Sequence, residues 1–95
     1  MNYFIDNGYQ NYDDMLRSAA AGGQVDIMID LISRGATNFT DALISACCAG
    51  KMKSVIFLSD RTDDYVDAVY YAFKNENHKV YDYLIEKAKS LGIYL

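Results

Sequence analysis

Proline and tryptophan are absent from these 95 residues, histidine occurs once and cysteine twice. Without proline no helix is stopped or kinked by a missing backbone N–H, so element boundaries have to come from glycine, asparagine and local polarity. Two cysteines exclude a disulfide scaffold, and Cys47 and Cys48 are adjacent. Helix neighbours point about 100° apart and a vicinal bridge is strained, so two free thiols fit a reducing, intracellular compartment such as the cytoplasm. No apolar run approaches the roughly 18 residues of a membrane-spanning helix. The start, Met1-Asn2-Tyr3-Phe4-Ile5-Asp6, lacks the basic and apolar regions of a secretory leader. Basic residues are in deficit: nine Lys and Arg against thirteen Asp and Glu, net charge −4. That balance argues against non-specific nucleic-acid binding, which needs cations to neutralise phosphates. Lys51, Lys53, Lys74, Lys79, Lys87 and Lys89 are read as solvated helix surface.

Catalytic constellations are equally scarce. His78 lies in a polar stretch, Asn75-Glu76-Asn77-His78-Lys79, where a helix is expected to begin, and is read as structural or exposed. A zinc site needs about four ligands; Cys47, Cys48 and His78 are too few and too far apart in sequence. Gly22-Gly23 lacks the Lys and the preceding strand of a phosphate-binding loop. The acidic pairs Asp13-Asp14 and Asp63-Asp64 fall at corresponding junctions and fit helix starts better than acid–base chemistry. The expectation is a protein that is not an enzyme and needs neither cofactor nor metal.

What the chain does have is internal self-similarity. Asp14-Met15-Leu16, Asp41-Ala42-Leu43 and Asp67-Ala68-Val69 open three corresponding stretches, 27 and then 26 residues apart. Each continues to a small residue (Ala19, Ala46, Ala72), then to Gly23, Gly50 or Glu76, then to Leu31, Leu58 or Leu84. The echo extends upstream, where Gly8-Tyr9-Gln10-Asn11-Tyr12-Asp13-Asp14 matches Gly35-Ala36-Thr37-Asn38-Phe39-Thr40-Asp41. A period in this range indicates a stack of supersecondary units, an architecture that generally binds macromolecules. The divisions are residues 1–13, a partial unit and junction; 14–40; 41–66; and 67–95, a C-terminal capping unit.

Each unit reads as two short antiparallel helices. Asp14, Asp41 and Asp67 are expected as N-caps. The first helices should end near Gly22, Ala49 and Asn75, with apolar faces Leu16, Ala19, Ala20; Leu43, Ala46, Cys47; and Val69, Ala72, Phe73. The second helices should run Val25 to Ser33, Met52 to Asp60 and His78 to Ser90. Their inward residues are Ile27, Met28, Leu31; Val55, Leu58; and Val80, Tyr81, Leu84. Ser54 interrupts the pattern opposite Ile27, either facing a partner or as a loss in a degenerate unit. Leu84, Ala88 and Leu91 continue the last stripe, with Glu86, Lys87 and Lys89 on its polar side. The nine tyrosines are in excess. Tyr12, Phe39 and Tyr65 recur at one position and suit junction packing, whereas Tyr3, Phe4, Tyr9, Tyr70, Tyr71, Tyr83 and Tyr94 leave material for an interface. At the opened first unit Leu16, Ile27 and Tyr3-Phe4-Ile5 are expected to be partly uncovered.

The run Ala19-Ala20-Ala21-Gly22-Gly23-Gln24-Val25-Asp26-Ile27-Met28-Ile29-Asp30-Leu31-Ile32-Ser33-Arg34-Gly35-Ala36 resembles an ankyrin repeat, with its paired alanines, glycine, paired leucine-like positions and closing Gly-Ala. The match is fair over Ala46 to Leu58 and poor over Ala72 to Leu84. The family's Thr-Pro-Leu-His signature is absent, and its loop is about six residues shorter here, against a family period of about 33. Short, proline-poor, tyrosine- and asparagine-rich units of this kind resemble those abundant in large DNA viruses. A helical-hairpin solenoid of another family would account equally well for the period. The resemblance implies an all-α, short ankyrin-like solenoid and a protein–protein interaction function through its concave face. Carried over onto this chain, the partner-binding positions are Tyr9, Gln10, Asp13, Ala36, Thr37, Thr40, Cys48, Thr62, Val66, Tyr70, Lys74 and Asn75. The alternative is a structural component of a larger assembly such as a virus particle, with self-association through the open N-terminal edge from Tyr3 to Tyr9.

Overall fold

In the computed structural model residues 12–93 are described, and they are all-helical. Six helices follow one another among them: α1 (Tyr12–Ala21), α2 (Val25–Ser33), α3 (Phe39–Ala49), α4 (Met52–Ser59), α5 (Val66–Lys74) and α6 (His78–Ser90). The expected partial unit at residues 1–13 lies almost wholly outside the described residues. Three hairpins result, α1–α2, α3–α4 and α5–α6, and α3 sits between α1 and α5 with contacts to both. The second helices touch in the same order, α2 to α4 and α4 to α6.

Small side chains make that arrangement possible. Ala19, Ala20, Ala42, Ala46, Cys47, Ala68 and Ala72 are all buried along the first helices, so backbones approach without a bulky side chain between them. Leucines fill the remaining space: Leu16, Leu31, Leu43, Leu58 and Leu84 belong to one core with Met28, Val55 and Val80. Ser54 is also buried, and its hydroxyl has no hydrogen-bond partner. It therefore faces the interior and not a partner.

The three first helices end alike. The N–H of Gln24 donates to Ala19 C=O at 3.0 Å, that of Lys51 to Ala46 C=O at 3.0 Å, and that of Asn77 to Ala72 C=O at 2.9 Å. This closure requires a left-handed residue just past the helix. Gly23 and Gly50 supply it at φ 71° and 70°, and Glu76 adopts φ 58°, the one positive-φ residue other than glycine among the described residues. Corresponding sequence positions thus carry one backbone conformation, even where the glycine has been replaced. Asn77 adds a tie between hairpins, donating through Nδ2 to Cys47 C=O at 2.6 Å. A Cβ on Gly50 would stand 3.1 Å from the same Asn77 side chain.

Four expectations need correction. Asp14, Asp41 and Asp67 lie within the first helical turns and are not N-caps. Asn38 and Tyr65 hold that place in α3 and α5, since their carbonyls accept from Ala42 N–H and Val69 N–H, and neither makes a side-chain cap bond. The aspartates still favour the positive helix end. Leu16 is fully buried, because it faces the following hairpin as Leu43 does; Ile27 is the exposed member of that pair. Phe73, expected in the core, is 69% exposed, since no further hairpin covers that side of α5 among the described residues. Leu91 caps α6 past the end of its buried stripe and is exposed.

Two outcomes test this packing. Leu43→Ala should cost roughly 2–5 kcal/mol, the usual loss for a buried leucine, whereas exposed Lys53→Ala should be nearly silent; chemical denaturation of both variants makes the comparison. Glu76→Gly should stabilise the fold by about 0.5–1 kcal/mol. Left-handed backbone costs a side-chain-bearing residue about 1–2 kcal/mol, and glycine's greater unfolded freedom takes back part of that gain. A loss of stability would mean that Glu76 does not occupy the left-handed region.

Candidate functional site

The twelve positions assigned to partner binding divide by environment. Tyr9 and Gln10 lie outside the described residues, as do Tyr3, Phe4 and Tyr94. Ala36 is 2% exposed, with its N–H donating to Leu31 C=O at 3.0 Å. It is a core residue and has no surface to offer, because the α2–α3 loop folds inward at that point.

Four others are engaged in holding the junctions between hairpins. Asp13 Oδ1, in the first turn of α1, accepts from the backbone N–H groups of Thr37 at 2.9 Å and Asn38 at 3.2 Å. Those donors precede α3, so the carboxylate pins the entry to the second hairpin. One hairpin later the same task falls to hydroxyls: Thr40 Oγ1 and Thr62 Oγ1 are 2.9 Å apart, and Thr62 Oγ1 accepts from Asp64 N–H at 3.2 Å. The structure thus brings together Asp13 with Thr37 and Thr40 with Thr62, and gives both pairs an architectural task. Thr37 remains exposed beside its bond.

Cys48, Val66, Tyr70, Lys74 and Asn75 are exposed. Three of these come from α5 at i, i+4 and i+8 spacing, so Val66, Tyr70 and Lys74 share one side of the helix. Val66 is 61% and Tyr70 54% exposed. Lys74 Nζ lies 5.9 Å from the Tyr70 ring centroid, and the Tyr70 and Tyr71 rings meet in a T-shaped arrangement with centroids 5.2 Å apart. Asn75 Nδ2 donates to Tyr71 C=O at 2.8 Å.

The aromatic excess resolves into different roles. Tyr65 is fully buried, and its hydroxyl donates to Ser59 C=O at 2.5 Å. Burial pushes its phenol pKa up, with Lys87 opposing. Tyr83 reaches Ser59 Oγ at 3.3 Å, so two tyrosines of the third hairpin grip the end of α4. Lys87 pairs with Asp60 beside them, and that hydrogen bond raises the lysine's pKa. Lys87 therefore ties α6 to α4 and does not belong to a solvated outer face. The adjacent hollow, about 470 Å³, includes Asp60, Arg61, Thr62, Asp63 and Lys87. Its cations are already committed, Lys87 to Asp60 and Arg61 to the Phe57 ring at 3.9 Å.

Sequence reasoning missed Phe73 and Asn77. Phe73 had a legible signal, a bulky ring where Ala20 and Cys47 stand in the earlier hairpins. Nothing in the residue order marked Asn77 as a bridge to Cys47.

No family model, curated protein or solved structure matches this chain. Among the described residues no group of three or more His, Cys, Asp or Glu could hold a metal ion, and no helix is long and apolar enough to cross a membrane. His78 is exposed at the start of α6.

Cys47 and Cys48 are free, the first buried and the second exposed. Burial, then the neighbouring Cys48, raises the Cys47 thiol from 9.0 to about 12. The folded chain therefore keeps a proton that the unfolded chain releases. Stability from this group is fully present below about pH 9 and is lost as pH rises towards 12. Tyr65 acts in the same direction from 10.0 upwards. The urea midpoint should consequently fall more steeply with alkaline pH in the native chain than in Cys47→Ala, which retains Tyr65. Equal slopes would show that the Cys47 thiol is not shielded.

Proposed function

We propose that this chain is a protein–protein interaction module, built as a short ankyrin-like helical-hairpin solenoid with shortened loops. The resemblance over Ala19 to Ala36 and the common closure at Gly23, Gly50 and Glu76 support that architecture. The observation that carries the function is the exposed stripe of α5, where Val66, Tyr70 and Phe73 recur on one helix face with most of their surface in solvent. Bulky apolar side chains grouped in this way mark a contact site more often than scattered single ones do. Tyrosine beside a lysine offers both area and a directional charge. Partner contact extends from Val66, Tyr70, Lys74 and Asn75 towards Cys48 and Thr37 on the earlier hairpins. The units abundant in large DNA viruses supply the analogy for a viral protein acting on a cellular one.

The test is affinity capture from the native cell, read by mass spectrometry, with wild-type chain and with Tyr70→Ala, Lys74→Ala and Cys48→Arg. Each exposed substitution should leave far-UV circular dichroism intact and reduce capture of the same partner at least several-fold. Equal capture by all three would move the interface to the second-helix side and end this assignment.

A second reading, a structural component of a larger assembly, is favoured by a different observation. A groove of about 450 Å³ opens on the outer side of the first hairpin, lined by Met15, Ala19, Ile27 and Leu31 among others.

A further inference from the structure

Corresponding positions fare differently in the three hairpins. Counted from the left-handed residues Gly23, Gly50 and Glu76, Ile27, Ser54 and Val80 occupy one position. Ser54 and Val80 are buried, whereas Ile27 is 46% exposed. Met15, Ala42 and Ala68 behave likewise: only Met15, in the first hairpin, is incompletely covered. Another set runs the opposite way. Ala20 and Cys47 are buried and Phe73 is exposed; Met28 and Val55 are buried and Tyr81 is half-covered; Leu16 and Leu43 are buried and Val69 is half-covered.

These two sets are the two sides of the hairpin-to-hairpin interface. One side of each hairpin meets the preceding hairpin and the other meets the following one, which is why α3 contacts both α1 and α5. Among the described residues the first hairpin has no predecessor and α5–α6 has no successor. Each end therefore presents one half of an interface whose other half the chain itself carries at the opposite end. The shapes correspond as well. The outer end of α5–α6 projects Phe73, packed against Tyr81 with ring centroids 5.9 Å apart. The groove on the first hairpin combines apolar Met15, Ile27 and Leu31 with polar Asp14, Ser18, Gln24 and Asp30 around small Ala19. An apolar centre with a polar rim is the usual composition of a protein contact.

We propose that a second copy of this chain occupies that groove: the Val69, Phe73 and Tyr81 edge of one molecule docks head-to-tail on the Met15 and Ile27 face of the next. The inference rests on the assembly reading above. A contact between two different patches is heterologous, and unless its rotation closes a ring it propagates as an open stack.

The full chain is examined by sedimentation over a wide concentration range, alongside Ile27→Asp and Phe73→Asp. Both residues are exposed, and circular dichroism checks that both variants fold. The native chain should grow in mass with concentration without stopping at a dimer. Each variant alone should remain a monomer. An equimolar mixture of the two should recover a complex of two chains and no more, because one intact face survives on each. Three results would overturn the proposal: a native chain monomeric at every concentration, an Ile27→Asp chain that still pairs through its intact end, or a mixture that stays monomeric. Cys48→Arg and Lys74→Ala should lose the cellular partner while still self-associating. A native chain that is monomeric at every concentration yet captures the partner would discard head-to-tail stacking and leave the concave interaction site standing.

Discussion

Close approach of α1, α3 and α5 through small side chains is the constraint on which the other features depend. A helix pair separated by alanines brings backbones together and leaves little room for error, since packed interiors tolerate neither voids nor overlaps well. With Ala42 and Ala46 on one side of α3 and Leu43 and Cys47 on the other, that helix is covered from two directions. Its place between neighbours also explains the buried, strongly shifted Cys47 thiol. The second helices are then positioned by the turns that lead into them.

Those turns convert helix packing into a directional arrangement. A left-handed residue after each first helix reverses the chain within a few residues, so each second helix returns alongside its own first helix. Glu76 shows that the geometry is imposed by the surroundings and not by glycine alone. The next residue along, Asn77, extends back to Cys47 C=O. The loops contribute through Asp13, Thr40 and Thr62, which bond across junctions. A binding role for those residues would have to coexist with that structural one. Lys74 and Cys48 carry no such obligation to the neighbouring hairpin.

Unfinished packing supplies the material for the recognition we propose. The middle hairpin meets a neighbouring hairpin on both of its stacking sides. At the ends the same positions carry exposed Ile27 and Phe73. Among the described residues one hairpin is interior and two are terminal, so a larger share of their apolar surface remains available. A partner, or another copy, would remove that surface from water at about 25 cal/mol per Å² of apolar area.

Much of the local structure was legible from residue order. Helix periodicity and the glycine breaks placed α2 at Val25–Ser33 and α6 at His78–Ser90, and the alanine positions identified the helix faces in contact. Both depend on chemistry within a few residues, where period and conformational preference act directly. The first-helix starts were misplaced because a carboxylate early in a helix satisfies the dipole whether it caps or lies one turn inside. The fate of Ile27, Ser54 and Phe73 depended on tertiary structure, since each belongs to an apolar or small-residue pattern that is the same whether or not a neighbour covers it. Burial is a property of what lies on the other side of a face, and residue order within the helix carries no record of that.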